Sequence, residues 1–446
     1  MRKPALIRSL GVVDATSLIV GCIVGVGIFR TASAIAGHLP SPSLILILWI
    51  LGGLLSLSGG LCYAELASMF PASGGDYVYI REVYGKFWGF LFGWTKLSVE
   101  RTGTIAILGF VFAEYLHRAM PYPAGAMRWV AAGAILLLTA VNVRGLRWGK
   151  YVQNTFTVLK IATLGSLIAV GFSAAFHQPV AGPAPTPTPL VWGLPSIDVP
   201  LIQSMGVALV FVLWTYGGWT EAGYVAEEIR QPQRNVPRAI IAGVLLTTGL
   251  YLLVNWSYLV FIPIEQLPHS PLVASTVMQR IWGSAGAVFI AWMVACSAFG
   301  ALNGYILTGG RILYAIGKDH PLFARLGTIH RDFHTPALAL STNAVLAIAL
   351  VFTKTFEQIV TYSTVVISIF FVMAVFGLIR LRTRRPLQPR AYRVWGYPFT
   401  PLLFIVTTIG FILNLCVQAP RETLFGFGLL ALGLPLYRIS NRAAES

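Results

Sequence analysis

Two glycine-rich stretches inside apolar segments carry the residue types best able to do chemistry in this chain. They read Gly21-Cys-Ile-Val-Gly-Val-Gly-Ile-Phe29 and Trp214-Thr-Tyr-Gly-Gly-Trp-Thr-Glu-Ala-Gly223. Glycine inside a helix costs about 1 kcal/mol relative to alanine. Glycine clusters in two long apolar segments therefore predict two interrupted helices, although close helix packing is the alternative explanation for any single glycine.

An interrupted helix in a membrane leaves main-chain N–H and C=O groups that need partners. A zwitterionic amino acid supplies partners for both kinds of group. We expect its carboxylate to accept hydrogen bonds from the amides of Gly25, Val26 and Gly27, at the positive end of the following half-helix. The carbonyl groups expected to accept from its ammonium group are those of Ile23, Trp214 and Gly217.

Four side chains of the second stretch are candidates for substrate contact. Trp214 precedes the interruption and is predicted to act as a gate over the cargo, with plain packing as the alternative. Thr215 and Thr220 are expected to line a small-to-medium pocket. Glu221 is a candidate proton relay or selectivity residue because intramembrane acids are rare, and a hydrated or hydrogen-bonded carboxylate is the alternative.

Lys160 is the most informative basic residue because it lies two to three turns into an apolar segment. A lysine at that depth is costly and usually functional, and snorkelling to the interface is the alternative. Its ammonium group can donate to carbonyls of the first interruption, at the place where other carriers bind a sodium ion. This interpretation predicts transport without sodium. Lys96 and Glu100 are spaced to pair on one helical face.

No catalytic centre, metal site or cofactor site emerges from the sequence. The seven histidines lie at segment ends or in loops, and no two of them make a helical metal pair. A membrane-embedded transferase would need histidines or carboxylates gathered at the membrane edge, and the sequence offers only scattered ones. No phosphate-binding loop motif is present.

Composition indicates a membrane protein. The 446 residues are 56% hydrophobic and 11% charged, with a mean hydropathy of +0.73. Apolar runs of about 20 residues match a bilayer, and their continuous rather than alternating pattern favours helices. Twelve transmembrane helices are predicted, at 11–36, 43–69, 87–116, 127–143, 151–175, 199–228, 238–261, 283–316, 336–353, 355–379, 398–419 and 421–438.

The net charge of +16 is distributed by loop and does not form a nucleic-acid-binding face. Most of the lysines and arginines fall in alternate loops, which places both termini in the cytoplasm by the positive-inside rule. All four cysteines lie within predicted spans, so no structural disulfide is expected. The first apolar run lacks a cleavage site and is predicted to remain as a membrane helix.

The two interrupted helices start two sets of five spans, and five is odd, so the second set is inverted. Interruptions at matching positions of inverted halves indicate a transporter's binding site. The predicted organisation is a cytoplasmic N-terminus, a first repeat, an external Pro-rich connector, a second repeat, two further helices and a cytoplasmic C-terminus, at 1–10, 11–175, 176–198, 199–379, 398–438 and 439–446.

Further motifs occur in order over nearly the whole chain: Ile23–Phe29, Cys62–Leu66, Ser73–Tyr79, Glu82–Gly85, Tyr216–Trp219, Glu227–Glu228, Pro232–Pro237, Ser297–Gly304 and Arg311–Tyr314. The ordered set resembles the amino acid–polyamine–organocation superfamily, and within it the L-type amino acid transporter branch and its bacterial relatives. The resemblance implies the LeuT-like five-plus-five inverted repeat with two added helices. It also implies amino acid transport by alternating access, commonly as exchange.

The resemblance assigns roles to residues already singled out. It implies that Gly25, Val26 and Gly27 bind the carboxylate, that Trp214 gates the site and that Lys160 stands in for sodium. Val26 replaces the serine or small residue that the family often has, which removes a hydroxyl contact. The stretch 117–127 lacks the outer-loop cysteine by which animal members join a heavy subunit, so a monomer or homodimer without a disulfide-linked partner is expected.

The sequence thus predicts a sodium-independent exchanger of neutral L-amino acids in a prokaryotic plasma membrane. Its expected partners are a small-molecule substrate and the lipid bilayer. A carrier of cationic amino acids or polyamines and a proton-coupled symporter, each with Glu221 as the key acid, are alternatives within transport. A non-transporting amino acid sensor could keep the same pocket and is the alternative from another class.

Overall fold

The architecture was analysed in a computed structural model that describes residues 6–176, 193, 195–196, 198–270, 272–353, 356–418 and 420–445. Secondary structure in these ranges is helical, apart from one isolated bridge between Leu10 and Ile229. Most of the predicted 176–198 connector, and the first five residues of the 1–10 segment, lie outside the described residues.

The helices of the described ranges are α1 (Val12–Ile23), α2 (Gly27–Ala36), α3 (Pro42–Met69), α4 (Asp76–Tyr84), α5 (Lys86–Thr95), α6 (Arg101–Ala119), α7 (Met127–Val143), α8 (Leu146–Phe176), α9 (Val199–Thr215), α10 (Glu221–Tyr224), α11 (Pro232–Phe261), α12 (Val273–Asp319), α13 (Ala337–Thr353), α14 (Phe356–Arg384), α15 (Phe399–Gln418) and α16 (Pro420–Glu445). A π-helical turn, Lys96–Glu100, joins α5 to α6.

Eight helices in the described part of the chain are long and apolar enough to cross a membrane. Shorter apolar helices occur at Val12–Ile23, Val199–Thr215 and Ala337–Thr353. Two of these shorter helices are α1 and α9, which are short because each stops at a predicted interruption. The prediction of an all-helical, many-span chain is therefore confirmed at this level.

The first interruption is an inverse γ-turn. α1 ends at Ile23, and Val24 has φ −72° and ψ 73°, which are the backbone angles of that turn. The Gly25 amide donates to the Ile23 carbonyl over 2.7 Å. Helix α2 then starts at Gly27, so the predicted break in the first span is confirmed.

The second interruption begins where α9 ends, at Thr215. Gly218 has φ +114°, a conformation that side-chain-bearing residues rarely adopt. The chain resumes as the single turn α10 and a 3₁₀ turn, Ala226–Glu228. The predicted span at 199–228 is thus one regular helix followed by short helical pieces.

Two features of the fold differ from the sequence prediction. Helix α12 begins at Val273 instead of 283, and Gly283 has the non-helical angles φ 61° and ψ −145°, so a kink lies where the span was expected to begin. These angles are essentially restricted to glycine. The π-helical turn Lys96–Glu100 was also not foreseen, because five-residue hydrogen-bond spacing leaves no mark on apolar periodicity.

The interrupted helices are surrounded by longer helices. α1 packs against α8, α11 and α12, while α2 packs against α9. α15 packs mainly against α14 and α3, and α16 packs mainly against α14 and α5, with a smaller contact between α15 and α16. The two final helices therefore flank the helices that surround the breaks.

Candidate functional site

The two interruptions approach so closely that only glycine fits at the contacts. A Cβ on Gly27 would lie 2.8 Å from the methyl carbon of Thr215, and a Cβ on Gly218 would lie 3.0 Å from the backbone nitrogen of Ile23. Real Cβ atoms essentially never approach within 3.0 Å of another heavy atom, as the first would, and the second contact is at the tight limit and involves rigid backbone. Glycine therefore allows the two main chains to come together here.

Two threonine hydroxyls hold the same contact together. The Thr31 hydroxyl lies 2.9 Å from the Gly27 carbonyl and 3.1 Å from the Thr215 hydroxyl, and either hydroxyl can donate to the other. The Thr215 hydroxyl also lies 2.7 Å from the Phe211 carbonyl. When one hydroxyl donates to its backbone carbonyl, the other can donate to it, so Thr215, predicted as a pocket residue, ties α2 to α9.

Backbone amides are left without partners on both sides of this contact. The N–H groups of Val26, Gly27 and Ile28 donate to no atom of the described residues. Val26 directly precedes α2, and Gly27 and Ile28 lie in its first turn, where helical N–H groups have no intrahelical acceptor. The Gly25 amide, in contrast, is used inside the γ-turn. The free donors are therefore displaced by one position from the predicted set, since they begin at Val26.

The carbonyl groups of the two breaks are partly occupied. Ile23 accepts from the Gly25 amide over 2.7 Å and from the Tyr251 hydroxyl over 2.8 Å. The Tyr251 oxygen also lies 3.3 Å from the Thr215 carbonyl. Trp214 accepts from the Gly217 amide over 3.0 Å, while the Gly217 carbonyl has no partner among the described residues.

Tyr251 of α11 was missed by sequence reasoning. A tyrosine within an apolar span carries no local signal, and its role appears only because it faces both breaks at once. Its ring packs against Trp49 and Tyr216, with centroids 5.2 Å away in each case. Its hydroxyl therefore holds a fixed position between the Ile23 and Thr215 carbonyls.

A cavity of about 250 Å³ lies at the breaks. Its walls are mostly apolar and include Phe371, Phe404 and Phe411. A concave, largely apolar wall with a few polar groups is typical of small-molecule sites. The structure brings nine predicted residues to this cavity: Ile23, Gly25, Val26, Gly27, Trp214, Thr215, Gly217, Thr220 and Glu221.

Lys160 lies outside the cavity wall, behind the first break. Its side chain is 2% exposed, and its Nζ donates to the Gly21 carbonyl over 2.5 Å. A Cβ on Gly300 would lie 3.1 Å from Lys160 Cε, so α12 closes over the lysine stem. The ammonium group therefore caps the carboxyl end of α1, where unpaired carbonyls favour a cation.

A group of buried charges borders the cavity. Lys96 and Glu100 form the predicted i, i+4 pair, with 3.0 Å between Nζ and Oε2, and both line the cavity. Glu221 accepts from both terminal nitrogens of Arg101, over 3.0 and 3.2 Å, and from the Thr308 hydroxyl over 2.5 Å. The partner of Glu221 is thus a residue of the chain itself, which the sequence did not reveal.

The chain is similar to known amino acid transporters. An amino acid permease family model matches residues 10–427. The serine/threonine exchanger SteT of Bacillus subtilis is 28% identical, covering 96% of each chain. The b(0,+)-type amino acid transporter 1 of Mus musculus is 31% identical over 98% of this chain and 88% of its own. The large neutral amino acids transporter small subunit 2 of Homo sapiens is 31% identical over 97% and 80%.

A family match over this length, together with apolar helices long enough to span a bilayer, decides the class of the chain. It is a multi-pass membrane protein and belongs to the amino acid permease family of the amino acid–polyamine–organocation superfamily.

Proposed function

We propose that this protein is a sodium-independent exchanger of neutral L-amino acids that works by alternating access in the plasma membrane. The observation that carries the proposal is the set of free amides at the start of α2, next to a mostly apolar cavity between two broken helices. The relatives named above are amino acid transporters and exchangers by name, which supports the same class of cargo.

The substrate's carboxylate is proposed to bind at the first break. Within the Gly25–Gly27 segment the donors are the free amides of Val26 and Gly27, since the Gly25 amide is used in the γ-turn. The N-terminal end of α2 adds a favourable field for an anion. Val26 contributes only its amide. The carboxylate would therefore be held by main-chain groups and not by a side-chain hydroxyl.

The substrate's ammonium group is proposed to bind carbonyls of the two breaks, which are those of Ile23, Trp214 and Gly217. The Gly217 carbonyl is the most available because it has no partner in the described part of the chain. The Ile23 carbonyl already accepts from Tyr251 and Gly25, so an ammonium group there would share it. Thr215 and Thr220 line the adjoining wall.

A neutral side chain suits the rest of the cavity. The two carboxylates in its wall, Glu100 and Glu221, each have a cation of the chain within 3.0 Å. The remaining wall is mostly apolar. A cationic cargo would have no uncompensated carboxylate to meet, which disfavours the alternative of a cationic amino acid or polyamine carrier.

Lys160 and Trp214 are proposed to serve the transport cycle. The Lys160 ammonium would hold the carboxyl end of α1 in place of a sodium ion, as its bond to the Gly21 carbonyl suggests. Trp214, half-buried in the cavity wall, would close over the cargo. We further propose twelve spans in the five-plus-five inverted repeat, both termini in the cytoplasm, and a monomer or homodimer without a disulfide-linked subunit.

Counterflow in proteoliposomes tests the proposal. Vesicles loaded with unlabelled leucine, alanine or serine should accumulate the labelled external amino acid equally in sodium and in choline buffer. A strict sodium requirement would contradict the role of Lys160. Uptake driven only by a pH gradient would favour the proton symporter, and binding without any flux would favour a sensor.

A further inference from the structure

The π-helical turn Lys96–Glu100 changes which side chains face inward. A π-helix has hydrogen bonds between residues five apart, so residues five apart lie next to each other on successive turns. The Arg101 amide donates to the Lys96 carbonyl, and the Thr102 hydroxyl donates to the Leu97 carbonyl over 3.0 Å. Both bonds have the five-residue spacing. The turn therefore places Arg101 beside Lys96, and both cations lie over the ring of Tyr224, at 5.1 and 5.3 Å.

The terminal nitrogens of the Arg101 guanidinium group are held by hydrogen bonds and its plane by aromatic rings. Its two terminal nitrogens donate to the two carboxylate oxygens of Glu221, and one of them also donates to the Thr308 hydroxyl over 3.2 Å. The rings of Tyr224 and Tyr305 lie 5.1 and 4.9 Å from its central carbon. Bidentate pairing and aromatic contact are the two ways in which proteins bind guanidinium groups most specifically.

The same site adjoins the cavity. Glu221 and Tyr305 both line the cavity wall, whereas Arg101 is 1% exposed and does not. A cationic substrate with its backbone groups at the two breaks would meet two acids in the cavity wall, Glu221 and Glu100, and Lys96 already pairs with Glu100. Glu221 is already occupied by Arg101, the first residue of α6.

We propose that Arg101 is a specificity-determining residue that excludes cationic amino acids, because its guanidinium permanently occupies the site at Glu221 that a cationic side chain would fill. This inference rests on the proposed function, since it assumes that amino acids bind at the two breaks. It predicts that the carrier has a latent cation site, which opens when the internal cation is removed.

Competition of labelled leucine uptake by unlabelled arginine, in proteoliposomes, tests the inference. In Arg101→Ala, the half-inhibitory concentration of arginine should fall by about tenfold to a hundredfold, as expected for a new charge-assisted pair. Arg101→Lys retains an internal cation and should continue to exclude arginine. The double variant Arg101→Gln, Glu221→Gln lacks the carboxylate and should gain no affinity for arginine.

Arg101→Ala leaves the buried Glu221 carboxylate unpaired, which can destabilise the fold. Arg101→Gln is therefore a second single variant with the same expected result, since its neutral amide can still donate to Glu221. A folded single variant that takes up leucine and gains no competition by arginine would overturn the inference, as would a gain in the double variant. Direct uptake of labelled arginine by the wild type at the rate of leucine would also overturn it. A wild type that transports no amino acid would instead refute the proposed function.

Discussion

Gly27→Ala probes the contact between the two breaks most directly. The added methyl group would lie 2.8 Å from the Thr215 methyl carbon and 2.9 Å from its hydroxyl oxygen. Thr215 cannot turn away freely because its hydroxyl is hydrogen-bonded to Phe211 and lies beside that of Thr31. The substitution should therefore push α2 away from α9.

The size of the effect follows from the cost of overpacking. A methyl group inserted into a packed site costs about 1–3 kcal/mol. Because the breaks are the proposed cargo site, we expect that cost in the binding of the substrate, where about 1.4 kcal/mol is a factor of ten. The half-saturating leucine concentration in counterflow should rise by about 5-fold to 150-fold.

Two further variants distinguish the effect of this contact from the general effect of replacing glycine by alanine. Gly133→Ala lies in α7, and its methyl group would meet nothing within 4 Å, so transport should be unchanged. Thr215→Ser removes the methyl group that clashes and keeps the hydroxyl, so it should partly restore leucine affinity when combined with Gly27→Ala. Unchanged affinity in Gly27→Ala, or no recovery in the double variant, would refute the reasoning.

Three further predictions concern single side chains at the breaks. Lys160→Ala should lower leucine uptake by about tenfold or more, because a hydrogen bond from a charged donor to the Gly21 carbonyl is lost; well-expressed protein with normal uptake would remove Lys160 from the mechanism. Tyr251→Phe should weaken leucine affinity about 2-fold to 12-fold, measured as half-saturation, because the bridge between the Ile23 and Thr215 carbonyls is removed. Trp214→Ala should lower the rate of counterflow more than it weakens leucine binding, which is measured by thermal shift with leucine. An equal loss of counterflow in Trp129→Ala, at an exposed position, would argue against a gate.

Local rules made the prediction of helices and breaks possible. Continuous apolar runs can satisfy their backbone in lipid only as helices, and glycine clusters weaken a helix wherever they occur. The interruptions at Val24–Val26 and Tyr216–Thr220 were therefore predictable from composition along the chain. A buried lysine near the first break was predictable for the same reason, since its depth in an apolar run is a property of the sequence.

The partners of these residues were decided only by tertiary structure. Tyr251 reaches the Ile23 carbonyl across 228 residues of chain, and Arg101 reaches Glu221 across 120. Arg101 faces inward because the π-helical turn rotates the following residues by one position. The apolar composition of the span does not reveal this rotation. Hydrogen-bond spacing and contacts between distant helices depend on how the whole chain packs. The amino acid sequence alone thus predicted where the backbone would break, whereas the folded arrangement determined which polar groups at the breaks stay free and which charges are already paired.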